Sequence, residues 1–380
     1  MRIHEVDTSH RRDVQRFIEF PFKLYRDSPL WVPPLIADAR RQLDRRRNPY
    51  YLHNDAAFLL AERDGEVVGR ICVMHPRHYN RFKGTSHAFF YLFDCIDDQA
   101  AANALFDAAA DWARARGLTT FRGPLGFMAA DGFGMLARGF EHRPAVGIPY
   151  NYEYYPRLAE TWGFELEERV YSGYLDLDVM RATFPQRVVE LAERVKQRYG
   201  FEIKWFNSKR ELIAWAKPRL PEMYNRTLTH IAGDPPLSRE EVDVVAEGLL
   251  LIADPRLIKF IVRKANPDEV LGFLFCFNDI SAGLQRARGR LFPFGWFHLL
   301  RDFYRTDWLN LNGMGIVPEY QGMGGPAILY TELFNNVKHL TRFRHADVVQ
   351  ISEFNAKSLN EMKKFGVDFY KTHHIYRREL

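Results

Sequence analysis

The chain has 380 residues, of which 47% are hydrophobic and 27% charged, with a formal net charge of +5. That length exceeds one average domain, and the balance fits a globular protein with sizeable cores, not a disordered or fibrous chain. The positive excess is small: its one dense cluster, Arg40, Arg41, Arg45, Arg46 and Arg47, reads first as the solvated face of a helix, with nucleic acid or an anionic ligand as the weaker reading.

Residues 2–7 predict a short strand. A helix capped by Thr8 or Ser9 follows, with Val14, Phe17 and Ile18 on one side, and Pro21 is expected to interrupt it. After the break at Trp31-Val32-Pro33-Pro34, residues 35–47 predict a basic helix. Apolar runs at 57–61 and 67–74 flank Asp64-Gly65, a hairpin signal. A strand over 88–96 follows. Asp97 and Asp98 then cap a helix whose Leu105, Ala109 and Trp112 share a face until Gly117 ends it. A strand at 121–127, a helix at 154–162 closed by Gly163, and a strand at 166–175 complete the first half.

The second half repeats this order. It predicts a strand at 201–206 and helices at 209–228 (kinked by Pro218 and Pro221) and 239–252. Hairpin strands at 257–265 and 270–277 turn about Asn266-Pro267-Asp268. A basic, aromatic insertion over 284–304 reads first as packing between the halves, with a lid over an apolar acyl chain or contact with a membrane face as the alternatives. A strand over 309–316 leads through Pro318-Glu319-Tyr320-Gln321 into Gly322-Met323-Gly324-Gly325. From Pro326 a helix carries Ile328, Leu329, Leu333, Phe334 and Val337 as a stripe. A strand at 348–352, a helix at 356–365 ended by Gly366, and a strand at 369–377 close the chain. The expected fold is α/β (α+β), with two similar units at 1–180 and 181–380. Each is a mixed, mostly antiparallel sheet flanked by helices, and they join near residues 178–187.

A strand feeding a glycine turn that opens a helix is a device for holding phosphate. Glycines let the backbone approach, several N–H groups converge, and the positive end of the helix dipole lies behind them. Here the pattern Val317-x-Glu319-Tyr320-Gln321-Gly322-x-Gly324 resembles motif A of the GNAT acyltransferase superfamily, Gln/Arg-x-x-Gly-x-Gly/Ala, with Gln321 and Gly324 matching. The last motif position is Pro326, which withdraws one N–H. The first half, through LFDCIDD, ARARG, FRGPLGF and PYNYEYY, also looks like a bacterial group of tandem GNAT-like proteins.

The resemblance implies two tandem GNAT-like domains and a cofactor site for acetyl-CoA, or another acyl-CoA, in the second. The backbone of Gly315, Ile316 and Val317 is expected to line the pantetheine arm, and Gln321, Gly322, Met323, Gly324 and Gly325 the pyrophosphate, with Asn355 near the arm. The family's carboxylate base has no counterpart on the fourth strand, which offers Asn310 and Asn312. Glu353, after the fifth strand, is the expected catalytic base. The family's leaving-group Tyr is replaced by Met362. In the first half Asp97-Asp98 stands where a phosphate loop belongs, so no CoA site is expected there.

The implied reaction is acyl transfer from acyl-CoA, acetyl-CoA by default, to a small-molecule or peptide amine, directly and without a covalent enzyme intermediate. The alternative is a catalytically silent ligand-binding or interaction protein of the same fold. No apolar run reaches transmembrane length, and the pairs His75/His78 and His373/His374 lack partners at metal-ligand spacing, so neither a membrane span nor a metal is expected. Cys72, Cys95 and Cys276 lie in or beside apolar runs, which predicts buried thiols and a cytoplasmic location.

Overall fold

A computed structural model describes residues 1–128, 131–232 and 235–380. Strand β1 (Arg2–Glu5) leads into helix α1 (Arg11–Leu24), and Pro21 lies inside that helix instead of ending it. A proline lacks the N–H that would bond the carbonyl four residues back, here that of Phe17. Arg70 supplies the missing donor: its Nη1 donates to the Phe17 carbonyl at 2.9 Å. Arg70 Nε also donates to Asp94 Oδ2 at 2.8 Å, and Tyr25 Oη donates to Asp94 Oδ1 at 3.0 Å. Burial pushes the Asp94 carboxyl up, while the adjacent guanidinium opposes this. Arg70→Met is expected to cost about 3–5 kcal/mol, because it leaves a buried carboxylate uncompensated. The denaturant midpoint reads this, and Arg70→Lys should lose less.

The chain continues through α2 (Ile36–Leu43), shorter than the expected basic helix, to the hairpin β2 (Asp55–Arg63) and β3 (Glu66–His75). Its turn residues Asp64 and Gly65 have φ of 52° and 83°, as a tight two-residue turn demands. Next come α3 (Arg77–Lys83), β4 (His87–Cys95), α4 (Gln99–Arg114), β5 (Thr120–Gly123), β6 (Met135–Arg138), α5 (Tyr155–Trp162) and β7 (Glu165–Asp176). The expected joint is itself helical, as α6 (Leu177–Thr183) and α7 (Gln186–Tyr199). Then follow β8 (Phe201–Lys204), α8 (Lys209–Ala216), α9 (Leu220–Ala232), α10 (Arg239–Leu251), β9 (Lys259–Arg263) and β10 (Asn266–Asn278). Pro218 thus falls between two helices where one kinked helix was expected, and Pro221 sits in the first turn of the second. The insertion forms α11 (Ser281–Ala287) and α12 (Gly295–Arg305). The chain ends with β11 (Trp308–Ile316), α13 (Gly325–His339), β12 (His345–Ser352), α14 (Ala356–Lys364) and β13 (Asp368–Glu379).

Among the described residues all thirteen strands form one sheet. Its order is β1-β2-β3-β4-β5-β13-β7-β12-β11-β10-β9-β8, with β6 on β13. The two halves trade their last strands. The final strand of the first half, β7, pairs antiparallel with β12 of the second, and β13 pairs with β5 of the first. This exchange welds the halves at the middle of the sheet and brings residues from both to one place. One face of the second half packs Leu309, Ala346 and Val348 against Leu329 and Leu333 of α13; the other carries Phe273, Phe275 and Phe277.

Candidate active site

Strands β11 and β12 run parallel and pair only from Trp308↔His345 to Leu311↔Val348. Beyond that point β11 stays with β10 as far as Ile316, and β12 stays with β7 as far as Ser352. The two strands therefore part. The cause is local: the β10–β11 register slips between Phe275 and Cys276, which are opposite Gly313 and Leu311, so Asn312 is bulged out and bends β11 away. The result is a gap in the sheet bordered by unpaired backbone edges. Val317 N–H donates to the Leu271 carbonyl at 2.9 Å. Strand alternation then turns Gly315 toward β10 as well, and leaves Met314 and Ile316 facing the gap. Of the three residues expected to line a pantetheine arm, only Ile316 presents its backbone there. Its carbonyl accepts from Gln321 Nε2 at 3.2 Å, so Gln321 braces the loop with its side chain.

The glycine turn follows a short 3-10 turn over Pro318–Tyr320. Gly322 (φ 80°) and Gly324 (φ 88°) both occupy the left-handed region. A Cβ on Gly322 would meet nothing within 4 Å, whereas one on Gly324 would lie 2.7 Å from Val195 of α7. The loop is thus backed by packing at Gly324 and open at Gly322. Among the described residues the N–H groups of Gly322 and Gly324 form no backbone hydrogen bond, and Gly324 caps α13 without a side chain. Free N–H donors at the start of a fifteen-residue helix fit a pyrophosphate. Met323 and Gly325 belong to the same turn, and Gly325 is the first residue of α13, packed on Ile316.

The same two features occur in the first half but are closed. Strands β4 and β5 pair only over His87–Phe89, and a register slip precedes the end of β4. The Leu125 N–H, however, donates to the Phe90 carbonyl at 2.9 Å and stitches the opening shut. The helix N-terminus there is taken by Asp98, whose Oδ1 accepts from Ala101 N at 2.9 Å.

Glu353 is not placed as a free base. Its Oε1 accepts from the Arg169 backbone N–H at 2.7 Å, and its Oε2 lies 3.4 Å from Arg169 Nη1. The carboxylate fastens β7 to the end of β12. Asn355 caps α14, with Oδ1 accepting from Ser358 N at 3.1 Å.

A carboxylate the sequence reading passed over does stand at the point where the strands part. Asp347 of β12 is opposite Asn310 of β11 in the last pairs before the gap, and it alternates with Ala346 and Val348, so it faces away from α13. It lines a pocket of about 390 Å³ together with Arg143, Tyr174, Asp279, Trp308 and Tyr370. Asp347 Oδ2 accepts from Tyr370 Oη at 2.7 Å, while its Oδ1 is buried without a hydrogen-bond partner among the described residues. Asn310 Oδ1 is also buried and unpartnered; its Nδ2 donates to the Val146 carbonyl at 3.3 Å.

Burial pushes the Asp347 carboxyl up to about 7; Lys371 and Tyr370 oppose this and Asp279 adds to it. Burial likewise brings Lys371 down to about 8, with Nζ donating to the Arg143 carbonyl at 2.9 Å. Asp279 is fully engaged: its Oδ1 accepts from Ser281 N and its Oδ2 from Val146 N at 3.1 Å. The signal for Asp347 was in the sequence, an acid flanked by Ala346 and Val348 in a strand whose core face is apolar.

No family model matches the chain. Over its whole length, however, the structure superposes on a tandem GNAT protein from the clavulanic acid biosynthesis pathway, at a TM-score of 0.56 and 13% identity, covering 98% of that chain. The fold is that of a tandem GNAT protein. Two curated proteins are similar across nearly the whole chain, each 26% identical. One is Protein YghO of Escherichia coli K12 (98% of this chain, 94% of that one). The other is the bacterial ceramide synthase of Caulobacter vibrioides (97% and 95%). Among the described residues of the tandem GNAT fold no helix is long and apolar enough to cross a membrane, and the three cysteines are buried and unpaired.

Proposed function

We propose that the chain is an acyl-CoA-dependent N-acyltransferase of the cytoplasm, with its one CoA site in the second half and Asp347 as general base. The observation that carries this reading is the pair of orphaned acceptors, Asp347 Oδ1 and Asn310 Oδ1, on adjacent strands where the sheet opens. Two buried acceptors without donors call for a ligand rich in N–H, which is what an ammonium or amine provides. Beside them β11 and β12 no longer pair, and the loop at the end of β11 offers N–H groups without backbone partners among the described residues.

CoA, held by the edges at Met314 and Ile316 and by the turn at Gly322 to Gly325, supplies the activated acyl group as a thioester. Asp347 takes one proton from the bound ammonium. The freed nitrogen bonds to the thioester carbon, the C–S bond breaks, and a second proton leaves nitrogen for the thiolate. Met362, which cannot donate a proton, stands where the GNAT motif this segment resembles has a leaving-group Tyr. The thiolate of CoA therefore takes its proton from the amine or from water, which its modest basicity permits.

For the acceptor we infer a long-chain amine. A ceramide is the N-acyl derivative of a long-chain amino alcohol, and the Caulobacter relative with that name is similar over nearly the whole chain. The pocket walls at Tyr174, Trp308 and Tyr370 suit an apolar stem beyond the amine. The test is thiol release from acetyl-CoA and long acyl-CoAs with short amines, amino acids and sphingoid bases as acceptors. Release is expected to require an amine and to be fastest with a long-chain one. Acyl-CoA binding without amine-dependent release would instead identify a silent binding protein.

A further inference from the structure

We infer that the α11–α12 hairpin, whose two ends adjoin the acceptor pocket, is a docking surface for an anionic lipid bilayer. The sequence suggested that this insertion packs between the halves, and its base does. Gln285 Nε2 donates to the carbonyls of Pro29 and Trp31, and the Ile36 N–H donates to the Gly289 carbonyl at 2.8 Å. The tip behaves otherwise. Phe292 is 79% exposed and Phe294 73%, and α12 presents Trp296, Phe297, Leu300 and Tyr304 to solvent. Positions 296, 297, 300 and 304 fall on one side of a helix, so α12 carries an apolar stripe that nothing among the described residues covers.

The surroundings of the stripe favour lipid over another protein surface. Arg286, Arg288, Arg290, Arg301 and Arg305 are the arginines between residues 281 and 306, and all are exposed. The one acid in that span, Asp302, is buried and paired with Arg286. An eleven-residue helix with bulky aromatics on one side and arginines beside them is the pattern that lies in the headgroup region of an anionic membrane.

The hairpin is also continuous with the pocket. Ser281, which begins α11, and Trp308, three residues beyond α12, both line it, with Asp279 immediately before the hairpin. A bilayer touching α12 is therefore positioned to pass an amphipathic amine along the hairpin without releasing it to water. That last consequence rests on the proposed acceptor class; the docking itself does not.

The experiment is co-sedimentation of the full chain with phosphatidylcholine vesicles, with and without phosphatidylglycerol, alongside a blue shift in tryptophan emission. The wild type is expected to bind the anionic vesicles and to release them at high salt. Trp296→Ser/Phe297→Ser/Leu300→Ser and, separately, Arg290→Glu/Arg301→Glu should each weaken binding at least tenfold, with unfolding temperatures near that of wild type. Acetyl transfer to a short, water-soluble amine should be unchanged in both variants, which separates failure of docking from failure of catalysis. Wild type left in the supernatant, or a triple variant that binds as well as wild type, overturns the inference. A concentration-dependent dimer abolished by the triple variant, without vesicle binding, would assign the stripe to a second copy of the chain and also overturn it.

Discussion

Asp347→Asn is expected to lower kcat/KM for acyl transfer by 10²–10⁴-fold, the usual contribution of a positioned general base. The substitution keeps shape and polarity at a buried position and removes only the ability to take a proton. In the wild type, kcat/KM should rise about tenfold per pH unit below the carboxyl's value of about 7 and then level off. The residual activity of the variant should lack that limb.

Stability gives an independent reading of the same group. Its folded value of about 7 is raised above the ordinary 3.8, so the native state holds the proton more tightly than the unfolded chain. That contribution is complete below the unfolded value and is lost as pH rises through 7. At pH 8 the wild type therefore carries an ionised, buried Asp347 at a cost of at most about 4 kcal/mol, three units at about 1.36 kcal/mol each. Asp347→Asn should melt a few degrees higher than wild type at pH 8 and show no such gain at pH 4. A residue that loses activity while gaining stability has the signature of a site, not of a scaffold.

Gly322→Asp should weaken acyl-CoA binding at least tenfold, and titration calorimetry measures it directly. A Cβ here enters open space, so no neighbour has to move. What changes is charge: a carboxylate placed over the N-terminus of α13 competes with a diphosphate for the same N–H donors. The positive φ of 80° imposes strain of about 1 kcal/mol, and Gly322→Asn imposes the same strain without the charge. The account expects Asn to bind several-fold more tightly than Asp. The first half shows the principle already in use, since Asp98 occupies its own helix N-terminus there.

The strand, glycine turn and helix at 308–339 were legible because everything that makes them is local. A strand, three glycines and a helical stripe follow one another within thirty residues, and periodicity reports each. The hairpin at Asp64-Gly65 and the helix closed by Gly163 were readable for the same reason.

Asp347 was not read as part of a site because its neighbours come from β7, β13, the loop at 141–145 and the start of α11, which no local pattern links. The exchange of β7 and β13 between the halves creates that neighbourhood, and hydrophobic alternation specifies a strand's face but not its partner. Pro21 is similar: a proline in a helical stripe reads as a stop until Arg70, from 49 residues further along the chain, bonds the orphaned carbonyl. The solvent-facing stripe of α12 looked like interior packing because aromatic periodicity cannot say which side of the protein surface it faces.

The most direct test of the central claim is a crystal structure of the protein with a non-hydrolysable acyl-CoA thioether. The account predicts the pantetheine arm between β11 and β12, the diphosphate on the N–H groups of Gly322 and Gly324, and the acyl carbonyl beside Asp347. Ligand density in the first half instead, between β4 and β5, or a diphosphate seated anywhere other than the start of α13, would contradict it.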